Sequence, residues 1–177
     1  MNLQLIQTGW GWSAAAWQEG LLAGVTLPHD NPQQAVTTLA GYLKLSEAAI
    51  TQAAEAAANE PWQRLAQALA NYFAGQRVVF DLPLFWSGLT AFQQRVLKEV
   101  KEIPYGQTVS YGEIARRIGC PKGARAVGGA VAANPWPPVV PCHRVLAADG
   151  RLGGFSYGLT WKEKLLQLEN IPYQTGR

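Results

Sequence analysis

The spacing of apolar positions changes near the middle of this chain. Residues 3–8, 13–18 and 21–27 form short apolar or alternating runs, separated by Gly9-Trp10-Gly11 and Glu19-Gly20. That pattern predicts a strand meander with tight turns. Pro28-His29-Asp30-Asn31-Pro32 then reads as a loop and helix entry, with His29 a loop residue. Helical periods follow over 32–44, 46–58 and 61–74, the second containing an alanine-rich stretch at 48–58. In the third, Pro61 suits a first turn, Trp62, Leu65, Leu69 and Phe73 form one stripe, and Gly75 stops it. Residues 78–83 predict a short strand leading into a proline-containing linker.

Beyond the linker the pattern is mainly helical. Residues 90–103 predict an amphipathic helix with Phe92, Val96, Val100 and Ile103 on one face, ended by Pro104-Tyr105-Gly106. Ser110-x-x-Glu113 reads as a capping box opening a helix to about residue 118. Gly119-Cys120-Pro121 breaks it, and a second helix is expected over 122–133. Two short helices joined by a glycine-containing turn make a helix-turn-helix pattern. The expected architecture is α/β in two domains. Residues 1–83 form a strand meander with helices, an α/β roll. Residues 84–177 form a mostly helical, winged-helix-like domain.

Composition narrows the function. Nearly half of the 177 residues are apolar, enough for a proper core, yet no run reaches membrane-spanning length. The N-terminal residues show no basic leader and no signal-peptide core, so the chain is expected to be soluble and cytoplasmic or otherwise intracellular; separately, it is expected to be a monomer. Two cysteines, Cys120 and Cys142, suit free thiols in a reducing compartment better than a disulfide scaffold. With only His29 and His143 besides, no ligand spacing for a metal is present. The net charge of +3 is unevenly placed. Residues 1–83 carry three Lys/Arg against six Asp/Glu, a balance of −3, and residues 84–177 carry twelve against six, +6. The second half is therefore the candidate for contact with a polyanion.

The densest candidate chemistry is Pro141-Cys142-His143-Arg144. Val139-Val140 reads as a buried strand that Pro141 ends, which would present Cys142 into a cleft at a strand-to-turn transition. A lone cysteine is usually a small buried hydrophobe. An adjacent imidazole and a DNA-reading pattern upstream favour a nucleophile instead. Neighbours in an extended strand point to opposite faces, so Cys142 and His143 meet only through a turn or a bridging water. A free thiol titrates near ~8.5, so a relay or a helix terminus would raise its thiolate fraction. Glu169 lies at helical spacing from Lys162 and Leu165 or Leu166 on the last helix and can accept from the imidazole. Arg144 is expected to structure the turn and is given no chemical step.

Arg125 sits early in the second helix of the pair, where recognition helices meet DNA. Ala124, Ala126, Gly128, Gly129 and Ala130 around it are small enough to bring a helix close to a sugar-phosphate surface. Two glycines inside a helix cost about 1 kcal/mol each against alanine, and close helix packing is the competing reason for them. Tyr111 opens the first helix, and Asn134 ends the second before Pro135. Gly150-Arg151-Leu152-Gly153-Gly154 lacks the Lys-Ser/Thr ending of a phosphate loop and reads as a flexible turn.

Taken together, Ser110-Tyr111-Gly-Glu-Ile-Ala, Ala124-Arg125-Ala-Val-Gly-Gly, Asn134-Pro135, Pro-Cys-His-Arg-Val and Leu159-x-x-Lys162-Glu-x-Leu-Leu-x-x-Glu169 resemble the O6-alkylguanine-DNA alkyltransferases, strongly from about Thr90 to Glu169. The resemblance implies direct repair of alkylated double-stranded DNA, with irreversible single-turnover transfer of the alkyl group to Cys142 after base flipping, and no cofactor. It implies a cysteine–water–histidine relay oriented by Glu169. Tyr111 would lie near the flipped base and help protonate it, and Arg125 would fill the gap in the stack from the minor groove. Ala124, Ala126 and Gly128 would contact DNA. Asn134, Val145, Phe155, Ser156 and Tyr157 would form the base pocket, with Asn134 bridging the second helix to the active-site turn. The sequence departs from many relatives at two of these: Phe155 stands where they have tyrosine, and Tyr157 stands where they have glycine, adding bulk at the pocket mouth. The N-terminal zinc of some relatives should be missing. Three rival readings are a non-catalytic lesion binder, a cysteine hydrolase and a winged-helix regulator. The first lacks a role for Cys142. The second leaves the basic helix pair unexplained, and the third leaves Pro-Cys-His-Arg unexplained.

Overall fold

Three antiparallel strands open the fold: β1 (Asn2–Thr8), β2 (Gly11–Gln18) and β3 (Leu21–Val25). A fourth, β4 (Thr51–Gln52), runs parallel to β1, and the sheet order is β3-β2-β1-β4. The computed structural model describes residues 1–46, 51–52 and 60–175. The helix expected over 46–58 mostly lies outside the described residues, and at Thr51–Gln52 a strand takes its place. The described chain divides into two compact units, Met1–Gly88 with Pro135–Pro137, and Leu89–Asn134 with Pro138–Arg177. This is a two-domain α/β fold.

The first unit packs helices onto the sheet. Ala14 and Ala16 on β2 are fully buried and lie in one cluster with Ala35, Leu39 and Ala40 of α1 (Pro32–Leu43). Their small side chains let helix and sheet approach closely. Asn31 caps α1 by accepting from the Gln34 N–H at 2.9 Å. Helix α2 (Glu60–Phe73) buries the expected stripe, and its Trp62 stacks on Trp17 with ring centroids 5.8 Å apart. Residues 78–82 form no strand, contrary to the pattern. Phe80 and Leu82 are buried, but the segment has no ladder, and only Leu84 bridges to Leu22. Pro135–Pro137 belongs to this unit through Trp136, whose Nε1 donates to the Leu22 carbonyl at 2.8 Å.

The second unit is mainly helical. Thr90 caps α3 (Ala91–Lys101) in a complete capping box with Gln93, an arrangement worth about 1 kcal/mol. Val96, Leu97 and Val100 are fully buried, each contributing about 1.5–3 kcal/mol. Helix α3 packs on α4 (Tyr111–Arg117) and α5 (Ala124–Ala132), and α4 packs on α5. Ser110 accepts from the Glu113 N–H at 3.1 Å, but the box expected there is half formed. The Glu113 carboxylate turns instead to Arg116 and Arg117. Helix α5 starts two residues later than expected because residues 120–123 close a tight turn, with the Gly123 N–H donating to the Cys120 carbonyl at 2.7 Å. β5 (Val109–Ser110) pairs in parallel with β6 (Val145–Leu146), which fastens the Cys142 turn to the segment entering α4. Helix α6 (Leu159–Leu168) completes the unit.

Candidate active site

The Cys142 turn differs from the expected strand end. Val139 and Val140 are buried but unpaired in any strand, and Cys142–Arg144 forms a single 3-10 turn leading into β6. Pro141 removes a ladder donor there, and the Arg144 N–H closes the turn on the Pro141 carbonyl at 2.9 Å. Cys142 is 6% exposed and lies in the wall of a cavity of about 690 Å³. Tyr111, Arg125, Gly128, Phe155 and Ser156 also line it, as does Ala124. A second cavity of about 700 Å³, lined by Arg151, Leu159 and Glu163 among others, does not include Cys142.

His143 is fully buried, and its Nε2 lies 2.7 Å from Glu169 Oε1. Glu169 stands at the C-cap of α6, one residue past the last helical one. Arg144 grips the same carboxylate with two bonds of 2.9 Å, from Nε to Oε2 and from Nη2 to Oε1. The Gly106 N–H adds a fourth donor at 3.1 Å. Burial alone would raise the Glu169 pKa, but the hydrogen bonds and charges of His143 and Arg144 hold it well below the ordinary carboxylate range. The carboxylate is therefore ionised and only accepts, which assigns the imidazole N–H to Nε2 and the lone pair to Nδ1. The His143 pKa is pushed down by burial. Glu169 opposes that shift, and the charges of Arg144 and Lys162 add to it.

Burial pushes the Cys142 thiol up, against the expected gain of thiolate. The Asn134 side-chain hydrogen bond and the charge of Lys162 pull the other way. Asn134 also donates from Nδ2 to the Val140 carbonyl at 2.8 Å, fixing the turn to the end of α5. Tyr111 donates weakly to the Gly154 carbonyl at 3.4 Å, and burial and the Cys142 charge raise its pKa. Ser156 Oγ donates to the Ala132 carbonyl at 2.7 Å, tying the far cavity wall to α5.

Not every expected pocket residue faces the cavity. Val145 is buried in β6, and its carbonyl accepts from Lys162. Asn134 acts behind the wall, through the Cys142 turn. Tyr157 does not line the cavity, so the bulk expected at its mouth is not supplied there. The Gly158 N–H closes a turn on the Phe155 carbonyl at 3.0 Å, and the Tyr157 ring packs beside Phe155 with its hydroxyl buried. Ala126 and Arg125 are exposed on α5. A Cβ at Gly128 would make only ordinary contact with Tyr111, and one at Gly129 would meet nothing, so packing within this unit does not require either glycine.

Lys162 is a buried cation beside the site to which the sequence pattern assigned no role. It is fully buried, and its Nζ donates to the carbonyls of Val145 at 2.7 Å, Leu152, and Gly154 at 3.3 Å. Burial pulls its pKa down to about 8, and the Cys142 charge opposes that. Three carbonyl acceptors also favour the ammonium, so it stays charged at neutral pH. Its sequence signal was a lysine at helical spacing from Leu165 and Leu166, on the face that α6 buries. Among the described residues, no group of three or more His, Cys, Asp or Glu is placed to hold a metal ion.

A buried cysteine next in sequence to a histidine–carboxylate pair, in a cavity walled by a helix with an exposed arginine, marks the candidate site of this two-domain α/β protein. The chain belongs to the methylated-DNA–protein-cysteine methyltransferase family. A family model described as the 6-O-methylguanine DNA methyltransferase DNA-binding domain matches residues 91–171. The methylated-DNA–protein-cysteine methyltransferase of Methanosarcina acetivorans is 50% identical over 110 residues, covering 62% of this chain and 70% of that one. The Haemophilus influenzae protein of the same name is 49% identical over 113 residues, and the match spans 63% of each chain. The crystal structure of Mycobacterium tuberculosis O6-methylguanine methyltransferase superimposes with a TM-score of 0.73 at 36% identity, covering 95% of this chain and 92% of that one. Another crystal structure of the M. tuberculosis protein, in complex with DNA, gives a TM-score of 0.76 at 35% identity, covering 96% and 93%. No helix among the described residues is long and apolar enough to cross a membrane.

Proposed function

We propose that this protein repairs O6-alkylguanine in double-stranded DNA by moving the alkyl group onto its own Cys142. The observation that carries this reading is the buried Cys142 thiol in the same cavity wall as α5, with the His143–Glu169 pair behind it. The DNA-bound M. tuberculosis relative supports DNA as the partner. Helices α4 and α5 are read as a helix-turn-helix in a winged-helix-like domain, spanning residues 84–177 with the alkyl acceptor, after an N-terminal α/β domain at 1–83. Small residues on α5 let it approach the sugar-phosphate surface, with Ala124, Ala126 and Gly128 at the contact. Arg125 fills the stack from which the lesion is extruded, since an alkylated O6 is out of reach inside the helix. The protein acts inside the cell as a monomer.

The chemistry is a displacement. The thiol proton passes, directly or through a water, to His143, and Glu169 stabilises the resulting imidazolium. The Sγ–C bond forms as the O6–C bond breaks, and the electron pair leaves on guanine, which takes up a proton with Tyr111 as the adjacent donor. Phe155 and Ser156 wall the base. The thioether product is stable and no residue here regenerates the thiol, so one chain repairs one lesion. The reaction as written uses no cofactor.

The test follows guanine in a duplex oligonucleotide carrying one O6-methylguanine. Restored guanine should level off at one per chain, and continued turnover would point to a hydrolase instead. Arg125→Ala should slow repair of the duplex by about tenfold or more while sparing reaction with free O6-alkylguanine, which needs no flipping. Equal loss on both substrates would make Arg125 structural.

A further inference from the structure

The Glu169 carboxylate has more partners than an orienter of histidine needs. Four hydrogen bonds converge on it, and two come from a single guanidinium. Arg144 is also anchored without Glu169. Its Nη1 donates to the Ile103 carbonyl at 2.6 Å, and its guanidinium lies 5.7 Å from the centre of the Tyr105 ring. The end of α3 thus holds the arginine in place, and the arginine holds the carboxylate. A bidentate guanidinium fixes the plane of a carboxylate as well as its charge.

We propose that Arg144 is a positioning residue for His143. Acting through Glu169, it takes up the carboxylate's charge, so that the imidazole gains a fixed acceptor without being held as a cation. His143 then keeps its lone pair for the thiol proton. The proposal rests on the alkyl-transfer reading and adds to it the residue that sets the state of its base.

Among the described residues, the other cation near His143 is already committed elsewhere. Facing His143 are Cys142, Glu169, Arg144 and Lys162, with Tyr105 beneath the arginine. Lys162 spends its donors on the carbonyls of Val145, Leu152 and Gly154. Without Arg144 a buried carboxylate would face a neutral imidazole. Such an arrangement favours drawing a proton onto the imidazole to complete the pair.

The experiment is an NMR titration of the His143 ring nitrogens in the full chain, which needs neither DNA nor substrate. In Arg144→Gln the imidazolium should persist to higher pH, with a proton affinity raised about tenfold, one pKa unit. Adding Glu169→Gln in the same chain should reverse the rise, because the unpaired charge is gone. Arg144→Lys, which keeps the charge at one contact point, should give a smaller rise in the same direction, and it decides the matter if Arg144→Gln does not fold. A purely structural arginine would leave the His143 titration unmoved in folded variants, and that result overturns the proposal. Transfer by the native chain is measured separately. If it fails while His143 shifts as described, the repair reading falls and the coupling of Arg144 to His143 stands.

Discussion

At the residue scale, the site depends on two buried cations that do no chemistry themselves. Arg144 completes Glu169, and Lys162 pins three carbonyls from the strand and turn that frame Cys142. Lys162→Met replaces most of the apolar stem but ends one heavy atom short and leaves those carbonyls without their donor. Unmade hydrogen bonds to buried groups cost about 1–3 kcal/mol each, and part of this is recovered by no longer burying a charge. The expected net loss is about 2–4 kcal/mol in urea unfolding, with slower alkyl transfer in the fraction that remains folded. Unchanged stability would mean that the turn from Leu152 to Gly154 holds its shape without the lysine. Cys142 and His143 stood out in the sequence by residue type and adjacency, whereas Glu169 was picked out only through the family resemblance. The two cations were less so, because their value lies in carbonyls and carboxylates distant in the chain. Arg144 was expected to do no more than structure a turn.

At the element scale, helices were legible where an apolar stripe and a cap agreed. Thr90 with Gln93 fixes the start of α3, and Asn31 with Pro32 fixes the start of α1. Strands were read too freely. Phe80, Leu82 and Val139-Val140 are apolar residues that are buried without pairing, while Val79 is exposed. Conversely, β5 and β6 are two residues each, too short for any periodicity, and their pairing helps assemble the site. The turn after β6 yields a direct prediction. Gly153 has φ +67, and a Cβ there would lie 2.9 Å from the Tyr111 ring and hydroxyl. Gly153→Ala therefore meets both a left-handed backbone and the tyrosine. It should destabilise the chain by about 1–2 kcal/mol and displace Tyr111 from the cavity wall. The check is a thermal melt together with the rate of reaction with free O6-alkylguanine. A wild-type rate would show that the position of Tyr111 is not critical for protonating the leaving base.

At the scale of the whole molecule, the sequence separates an acidic first half from a basic second half, and the candidate chemistry falls entirely in the second. The described chain divides after Gly88, where the sequence pattern predicted residue 83, and Pro135–Pro137 returns to the first unit in a way no local pattern signals. Trp136 is the reason, since its indole needs the Leu22 carbonyl to be buried without cost. The proposed repair is one covalent event at one sulfur. Its most direct test is intact-mass and peptide-level mass spectrometry after incubation with duplex DNA carrying an isotopically labelled O6-methyl group. The account predicts a single labelled methyl per chain, located on Cys142, with Cys120 unmodified and no label accepted by Cys142→Ser. Label on another residue, or lesion loss with an unmodified Cys142, would contradict it.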